Sequence, residues 1–182
     1  MGNMTVTLGS LSTVPALERP DLLAASVAAA LAEWPHAAEV GVAEIDPELA
    51  DTAACADAYD LPMESGANCV VISGRRAGEE RVAACLVRAD TRADVNGLVK
   101  RTLDVRKCSF HPLERAVEET GMEYGGITPV GLPATWRLLV DAAVPSIPVA
   151  VIGSGLRRSK LLVPTPLLGE LPGAEVVEGL AR

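Results

Sequence analysis

The segment at residues 120–131 is rich in glycine, and its residue types and spacing make it the strongest candidate in this chain for a chemical role. Gly125, Gly126, Pro129 and Gly131 fall within seven positions. Such crowding is costly unless the backbone needs special dihedral angles or a close approach. Without side chains, Gly125 and Gly126 can present peptide N–H groups to an incoming oxygen atom. We therefore expect this segment to form one wall of a site.

Two basic clusters could add positive charge to such a site. The first comprises Lys100, Arg101, Arg106 and Lys107, and the second comprises Arg157, Arg158 and Lys160. Each cluster is either a local patch for an anionic group or a set of solvated charges. In an acidic chain the second interpretation is favoured for each cluster taken alone.

The cysteines and histidines favour neither a metal centre nor a catalytic thiol. The cysteines are Cys55, Cys69, Cys85 and Cys108. They form no Cys-x-x-Cys pair, and neither histidine stands in ligand spacing, so we expect no metal site and no cofactor. Cys69 and Cys85 lie in apolar runs and are expected to be buried, reduced thiols. His111 precedes a proline and is expected to cap a helix.

The composition limits the class of protein. The 182 residues have 49% hydrophobic but only 3% aromatic content, which predicts one domain with a core of Ala, Val and Leu. A net charge of -8 argues against nucleic-acid binding by bulk electrostatics. The early apolar run at residues 22–32 is too short to span a bilayer and follows acidic residues. We therefore expect a cytoplasmic protein with no membrane partner.

The order of predicted elements indicates an α/β or α+β fold, a single domain built on a mixed sheet. Residues 1–18 show no period and are expected to form a loose lead-in. The buried run at 82–87 is apolar on both faces, as in a strand inside a covered sheet. The predicted helices span 20–34, 46–60, 94–103, 112–120 and 166–171. The predicted strands span 39–45, 69–72, 82–87, 136–141, 149–152, 160–163 and 174–178.

Residues 46–178 resemble the YbaK-like aminoacyl-tRNA deacylase family, which is related to the editing insertion domain of bacterial prolyl-tRNA synthetases. The segment Gly125-Gly126-Ile127-Thr128-Pro129-Val130-Gly131 is similar to the family's Gly-Gly-Val-Ser-Pro-x-Gly loop. The strand starting at Ala67-Asn68 and the turn Gly153-Ser154-Gly155-Leu156-Arg157-Arg158 follow in the family's order. The resemblance implies a curved, barrel-like central sheet flanked by helices. It also implies a lead-in at residues 1–45 packed on an editing-like domain at 46–182.

The resemblance further implies hydrolysis of the ester that joins a wrong amino acid to the end of a tRNA. Negative charge develops on the carbonyl oxygen, and preorganised N–H groups stabilise it. The expected catalytic residues are Asn68, Gly125 and Gly126. The expected substrate-binding residues are Ile127, Thr128, Pro129, Gly153, Ser154, Gly155, Arg157 and Lys160. For Thr128, contact with the substrate and a role within the loop both stay open.

The expected partner is the acceptor end of mischarged tRNA, guided by basic side chains, with weak association with a synthetase as a further possibility. The guiding residues would come from Arg75, Arg76, Arg157 and Arg158. In the family the attacking water is thought to be helped by a ribose hydroxyl of the tRNA. No Ser-His-Asp set is therefore required.

Two departures from the family pattern bear on activity. Relatives that deacylate usually carry a lysine where this chain has Asn68, and an asparagine has no charge. Lys160 falls where an acidic or neutral residue is expected. We hypothesise that Lys160 or Arg157 supplies the missing charge; the alternative is a solvated lysine at a strand end. For the whole chain, the alternatives to a deacylase are a non-catalytic binder of an aminoacylated end and a hydrolase of another small acyl ester.

Overall fold

Two β-sheets form the centre of residues 6–182, the part of the chain that the computed structural model describes. The strands are β1 (Thr7–Leu8), β2 (Leu11–Ser12), β3 (Val14–Pro15), β4 (Gly41–Glu44), β5 (Ala67–Arg76), β6 (Glu79–Arg88), β7 (Cys108–Phe110), β8 (Arg137–Asp141), β9 (Val149–Gly153), β10 (Ser159–Pro164) and β11 (Ala174–Val177). The α-helices are α1 (Ala25–Glu33), α2 (Thr52–Ala58), α3 (Lys100–Leu103) and α4 (Leu113–Thr120). Short 3-10 turns connect several of them.

The larger sheet is mixed and has the order β11-β8-β6-β5-β7. Strands β5 and β6 form a long antiparallel hairpin, and β8 and β11 run parallel to β6 and β8 respectively. The hairpin turns at Ala77 and Gly78, which both have positive φ, as a tight two-residue turn requires. Residues 82–87 are all buried in the middle of this sheet, so the predicted interior strand is confirmed.

The smaller sheet is antiparallel, with the order β3-β4-β10-β9. A single bridge between Gly66 and Val151 joins it to the start of β5, and the two sheets do not close into a full barrel. Apolar side chains of both sheets and of α1 meet in one core. The predicted single domain with a mixed, curved central sheet and flanking helices is thus confirmed.

Among the differences from the predictions, three concern residues 6–18, the helix predicted at 94–103 and the role of His111. Residues 6–18 are expected to be loose, but they contain β1, β2 and β3, and β3 pairs with β4. Residues 1–5 of the same predicted lead-in lie outside the described part. The helix predicted at 94–103 begins as a π-turn at Val95–Val99 before α3. The predicted capping role of His111 is wrong, because its side chain is fully buried against Trp136 and Pro112 precedes α4 without a side-chain cap.

Helix α4 ends as the sequence predicts. Gly121 follows it in the left-handed conformation, with φ 69°, and its N–H bonds back to Val117. This cap turns the chain into the glycine-rich segment. None of the helices in residues 6–182 combines the length and apolarity needed to cross a membrane.

Candidate active site

A cavity of about 530 Å³ lies between α2, the start of β5, the glycine-rich segment and the β9–β10 turn. It brings together five of the residues expected to be catalytic or to bind substrate: Asn68, Gly125, Ile127, Gly153 and Lys160. This volume is typical of a pocket for a small ligand. We refer to this cavity as the pocket.

An open strand edge forms one side of the pocket. Strand β7 pairs with β5 only from Ile72 to Gly74, and the N–H of His111 donates to the carbonyl of Val71 at 2.8 Å. Strand β7 therefore does not extend along residues 67–70, and β9 meets this edge only at the bridge between Gly66 and Val151. Because backbone groups alternate along a strand, Cys69 presents its N–H and C=O in the same direction as Val71, toward the pocket.

Asn68 is held by a side chain from α2. The hydroxyl of Thr52 donates to Oδ1 of Asn68 at 2.7 Å. This bond occupies the amide oxygen and leaves the amide NH₂ as the donor that Asn68 can offer to a ligand. Asn68 is therefore an oriented, neutral donor in the pocket wall.

Lys160 places a buried positive charge in the same pocket. Its residue is only 8% exposed, and its Nζ donates to the carbonyl oxygen of Ala50 at 2.8 Å. Burial lowers the pKa of Lys160 from its ordinary value, while nearby Cys55 and Asp51 act in the opposite direction. Lys160 is thus not a solvated lysine at a strand end. The ammonium shares its pocket with Asn68.

The glycine-rich segment packs against the β9–β10 turn with almost no space between the backbones. A Cβ on Gly153 would lie 2.4 Å from the carbonyl oxygen of Gly126, and a Cβ on Gly126 would lie 2.8 Å from the backbone of Gly155 and Leu156. The N–H of Gly155 donates to the carbonyl of Gly126 at 2.8 Å. Glycine is required here because the two backbones touch.

The peptide N–H groups of the two glycines differ in availability. The N–H of Gly126 donates to the carbonyl of Glu123 at 2.9 Å, so it is already paired. For the N–H of Gly125, which lines the pocket, residues 6–182 provide no acceptor. Of the two donors expected from the sequence, only Gly125 is free to bind an oxygen atom of a ligand.

Arg157 braces the glycine-rich segment from outside. Its guanidinium donates to the carbonyls of Tyr124 at 3.2 Å and Pro47 at 3.0 Å, and its backbone N–H donates to the Glu123 carboxylate at 2.7 Å. The guanidinium also lies 5.7 Å from the centre of the Tyr124 ring. These contacts tie three separate stretches of chain together at the edge of the pocket.

The other arginines expected to guide an RNA end lie elsewhere. Arg158 donates to the carbonyl of Asp21. Arg75 and Arg76 lie near the far end of β5, about 23 Å and about 26 Å from Asn68 at about 3.3 Å per residue. Arg76 forms an ion pair with Asp104 at 2.7 Å. The structure therefore does not bring Arg75 or Arg76 to the pocket.

Four further residues expected to bind substrate lie behind or beside the pocket wall. Ser154 is fully buried and shares a hydrogen bond of 2.7 Å with Ser159, and Gly155 is buried beneath it. Thr128 is fully buried, and its hydroxyl has no partner within residues 6–182. Pro129 lines a second cavity of about 520 Å³, beside Trp34 and Trp136, on the other side of the glycine-rich segment.

The cysteines of the pocket are poor nucleophiles. Cys69 and Cys55 both line it, and burial raises the pKa of both thiols; for Cys55 the charge of Lys160 partly opposes the effect. Burial likewise raises the pKa of Cys85, to about 12. A thiol must ionise to attack, so these shifts argue against thiol catalysis. Within the described residues, no group of three His, Cys, Asp or Glu side chains is arranged to hold a metal.

Sequence reasoning missed the contribution of α2. Thr52 orients Asn68, Cys55 flanks Lys160, and the carbonyl of Ala50 just before the helix accepts the lysine ammonium. The sequence predicts a helix at 46–60, which is a local signal. Nothing in that signal indicated which face of the helix meets β5 and β10.

Comparison with known protein families places this chain in one of them. A sequence model of that family, described as the aminoacyl-tRNA editing domain, matches residues 46–170. The match spans more than half of the chain, so the chain belongs to this family. The resemblance inferred from the glycine-rich segment and its neighbouring elements is confirmed.

Solved structures share the fold at low sequence identity. One protein, provisionally described as a trans-editing enzyme for prolyl-tRNA synthetase, is 22% identical with a TM-score of 0.72, over 85% of this chain and 94% of that chain. A structure from work on epitope backbone grafting onto scaffold proteins is 21% identical with a TM-score of 0.71, over 85% and 95% of the two chains. A hypothetical protein, APE2540, is 23% identical with a TM-score of 0.68, over 78% and 90%. A comparison with curated proteins finds no match.

Proposed function

We propose that this protein is an aminoacyl-tRNA deacylase that acts in trans on mischarged tRNA. The observation that carries the proposal is the buried ammonium of Lys160 in the pocket that also holds Asn68 and the free N–H of Gly125. A positive charge and N–H donors in one partly dry pocket suit a reaction that builds negative charge on oxygen.

In the proposed reaction, a water molecule adds to the carbonyl carbon of the aminoacyl ester. The carbonyl oxygen becomes negative and is stabilised by Lys160 and by the N–H of Gly125. The bond to the ribose oxygen then breaks, and that oxygen takes up a proton to give a free amino acid and a tRNA with a free terminal hydroxyl. The neighbouring ribose hydroxyl would assist the water, because Cys55 and Cys69 are poor bases and nucleophiles.

The apolar part of the pocket would receive the amino-acid side chain. Leu61, Val71, Ile127 and Val151 line it together with the thiols. Asn68, oriented by Thr52, would hold a carbonyl or ribose oxygen through its amide NH₂. Such an enzyme would work in the cytoplasm, where charged tRNA is used, and weak association with a synthetase would fit action in trans.

The test removes the positive charge on β10, adds one on β5, or does both. tRNAs mischarged with Ala, Ser, Cys or Pro are incubated with the natural protein, with Lys160→Met, with Asn68→Lys and with the double variant. We expect turnover of at least one substrate by the natural protein, its loss in Lys160→Met, and partial recovery in the double variant. Lys107→Met is the matched control, because Lys107 is exposed in the turn before β7.

Each other outcome has a defined meaning. No turnover by the natural protein with turnover by Asn68→Lys would show that this chain has lost the family's activity and is a binder of aminoacylated ends. Turnover that survives Lys160→Met would contradict the role given to Lys160. Hydrolysis of simple acyl esters but of no aminoacyl-tRNA would favour the third alternative.

A further inference from the structure

The exposed apolar side chains of this protein are concentrated at the mouth of the pocket. Of the seven large hydrophobic side chains exposed within residues 6–182, four line the pocket. They are Phe110, 67% exposed, Tyr124, 59%, Leu113, 42%, and Met63, 38%. The chain has one phenylalanine and two tyrosines, and the phenylalanine and one of the tyrosines lie at this mouth. Exposed aromatic residues that cluster at a cavity indicate a binding surface.

The two aromatic residues are held by their backbone rather than displayed on loose loops. Phe110 ends β7 opposite Ile72, and the next residue, His111, is anchored to Val71. Tyr124 is fixed by Arg157, which bonds its carbonyl and covers one face of its ring. A ring held in place loses little freedom when a ligand binds, and the remaining exposure of Tyr124 leaves surface for a flat partner.

The chemistry of the mouth favours nucleobases over phosphates. Every base has a π-face, and unpaired bases stack on aromatic side chains without needing a basic surface. The arginine at the mouth, Arg157, is already engaged by two carbonyls, and Asp51 and Glu64 nearby are acidic and exposed. A chain with a net charge of -8 would therefore hold an RNA end better by stacking than by charge.

We propose that Phe110 and Tyr124 stack against the unpaired bases that precede the terminal adenosine of the RNA, with Leu113 and Met63 completing the apolar wall. This inference rests on the proposed function, because the stacked bases would belong to the part of the tRNA substrate that lies outside the pocket. Continuity with the pocket selects an RNA end rather than a protein partner or a second copy of the chain.

The test measures binding without turnover. A fluorescent single-stranded RNA ending in cytidine-cytidine-adenosine is titrated by anisotropy, beside the same RNA with abasic sites in place of the two cytidines. We expect Phe110→Ala and Tyr124→Ala each to weaken binding of the natural RNA about 5-fold to 100-fold. The abasic RNA should bind the natural protein as weakly, and the two substitutions should cause no further loss with it. The slope of log affinity against log salt should stay near about -1, because few phosphates are contacted.

Two controls separate stacking from general apolarity and from misfolding. Leu113→Ala alters an aliphatic side chain at the same mouth, and Val176→Ala alters one that is 55% exposed and does not line the pocket. Both variants keep the two rings, so both should prefer the natural RNA over the abasic RNA to the same degree as the natural protein. Phe110→Leu keeps the apolar volume without the ring and should behave like Phe110→Ala. It provides the test if the alanine variant fails to fold.

The results that overturn the inference differ from those that overturn the proposed function. Equal affinity for natural and abasic RNA, or no effect of either aromatic substitution, refutes stacking even if aminoacyl-tRNA is hydrolysed. A shift from dimer to monomer in Phe110→Ala, seen by sedimentation without a change in RNA binding, would assign the surface to a second copy and also refute it. Base-dependent binding without any hydrolysis would support the inference and contradict the deacylase.

Discussion

Replacing Lys160 by methionine removes the buried charge while keeping a side chain of similar length. If the ammonium stabilises the developing oxyanion, its loss should raise the barrier by roughly 3–4 kcal/mol, or about 10²–10³-fold in rate. Stability should move differently. The carbonyl of Ala50 loses a charged hydrogen bond worth roughly 1.5–3 kcal/mol, but the several kcal/mol needed to bury an ammonium are no longer required. We expect a free energy of unfolding equal to the natural value or higher by up to about 2 kcal/mol.

The dependence on pH gives an independent check of the same reasoning. Burial lowers the folded-state pKa of Lys160 from 10.5, so between the two values the unfolded chain binds more protons than the folded one. The natural protein should gain stability relative to Lys160→Met as pH rises through that window. Its hydrolysis rate, corrected for spontaneous ester loss, should fall over the same window as the ammonium deprotonates.

Single-turnover deacylation and urea denaturation at neutral and alkaline pH measure these quantities, with Lys107→Met as the control on an exposed lysine. A rate within about threefold of the natural protein would refute the catalytic role of the charge. A loss of stability above roughly 3 kcal/mol would instead show that Lys160 is a structural tie to the segment before α2.

Three further substitutions test the pocket wall. Thr52→Val removes the hydroxyl that orients Asn68, and it should slow hydrolysis about 2–10-fold with little change in the urea midpoint; an unchanged rate would contradict the orienting role. Gly126→Ala places a Cβ 2.8 Å from the facing backbone and should lower the free energy of unfolding by roughly 1–3 kcal/mol in urea denaturation. The control Gly169→Ala, whose Cβ would meet a single side chain at 3.2 Å, should lower it less. Equal losses in the two variants would contradict the close-packing argument. Cys69→Ser should keep deacylation within about threefold because burial raises the pKa of that thiol, and a loss of about a thousandfold would reinstate it as a nucleophile.

The sequence predicts the fold well wherever one physical signal dominates a segment. The run at 82–87 is apolar on both faces and is an interior strand, and Gly121 ends α4 in the conformation that favours glycine. It predicts poorly where elements are too short to show a period. The two-residue strand Val14–Pro15 pairs with β4, about 26 residues further along the chain, and no local pattern reveals it.

Some features of the pocket can likewise be predicted from the sequence, and others cannot. The glycine-rich segment is visible in sequence because its composition is unusual, but the pairing of the Gly126 N–H with Glu123 is set by the conformation of the turn. The contact of Arg157 with Pro47 spans 110 residues of chain, and no spacing rule predicts it. A positively charged side chain near an expected site can therefore serve as a brace, and only the packed structure distinguishes the two roles.

The sheet topology explains how a residue on β10 and a residue on β5 can act in the same pocket. Lys160 on β10 pairs with Gly153 on β9, and β9 is bridged at Val151 to Gly66, two residues before Asn68. Side chains from β10 and β5 thus reach one pocket although the residues are far apart in sequence. Two ammonium groups in one pocket would repel each other, by about 4 kcal/mol at a separation of about 4 Å and an effective dielectric of about 20. The substitution Asn68→Lys should therefore lower the deacylation rate of the natural protein but raise the rate of Lys160→Met. These opposite effects are expected only if the pocket needs one positive charge and that charge can come from either position.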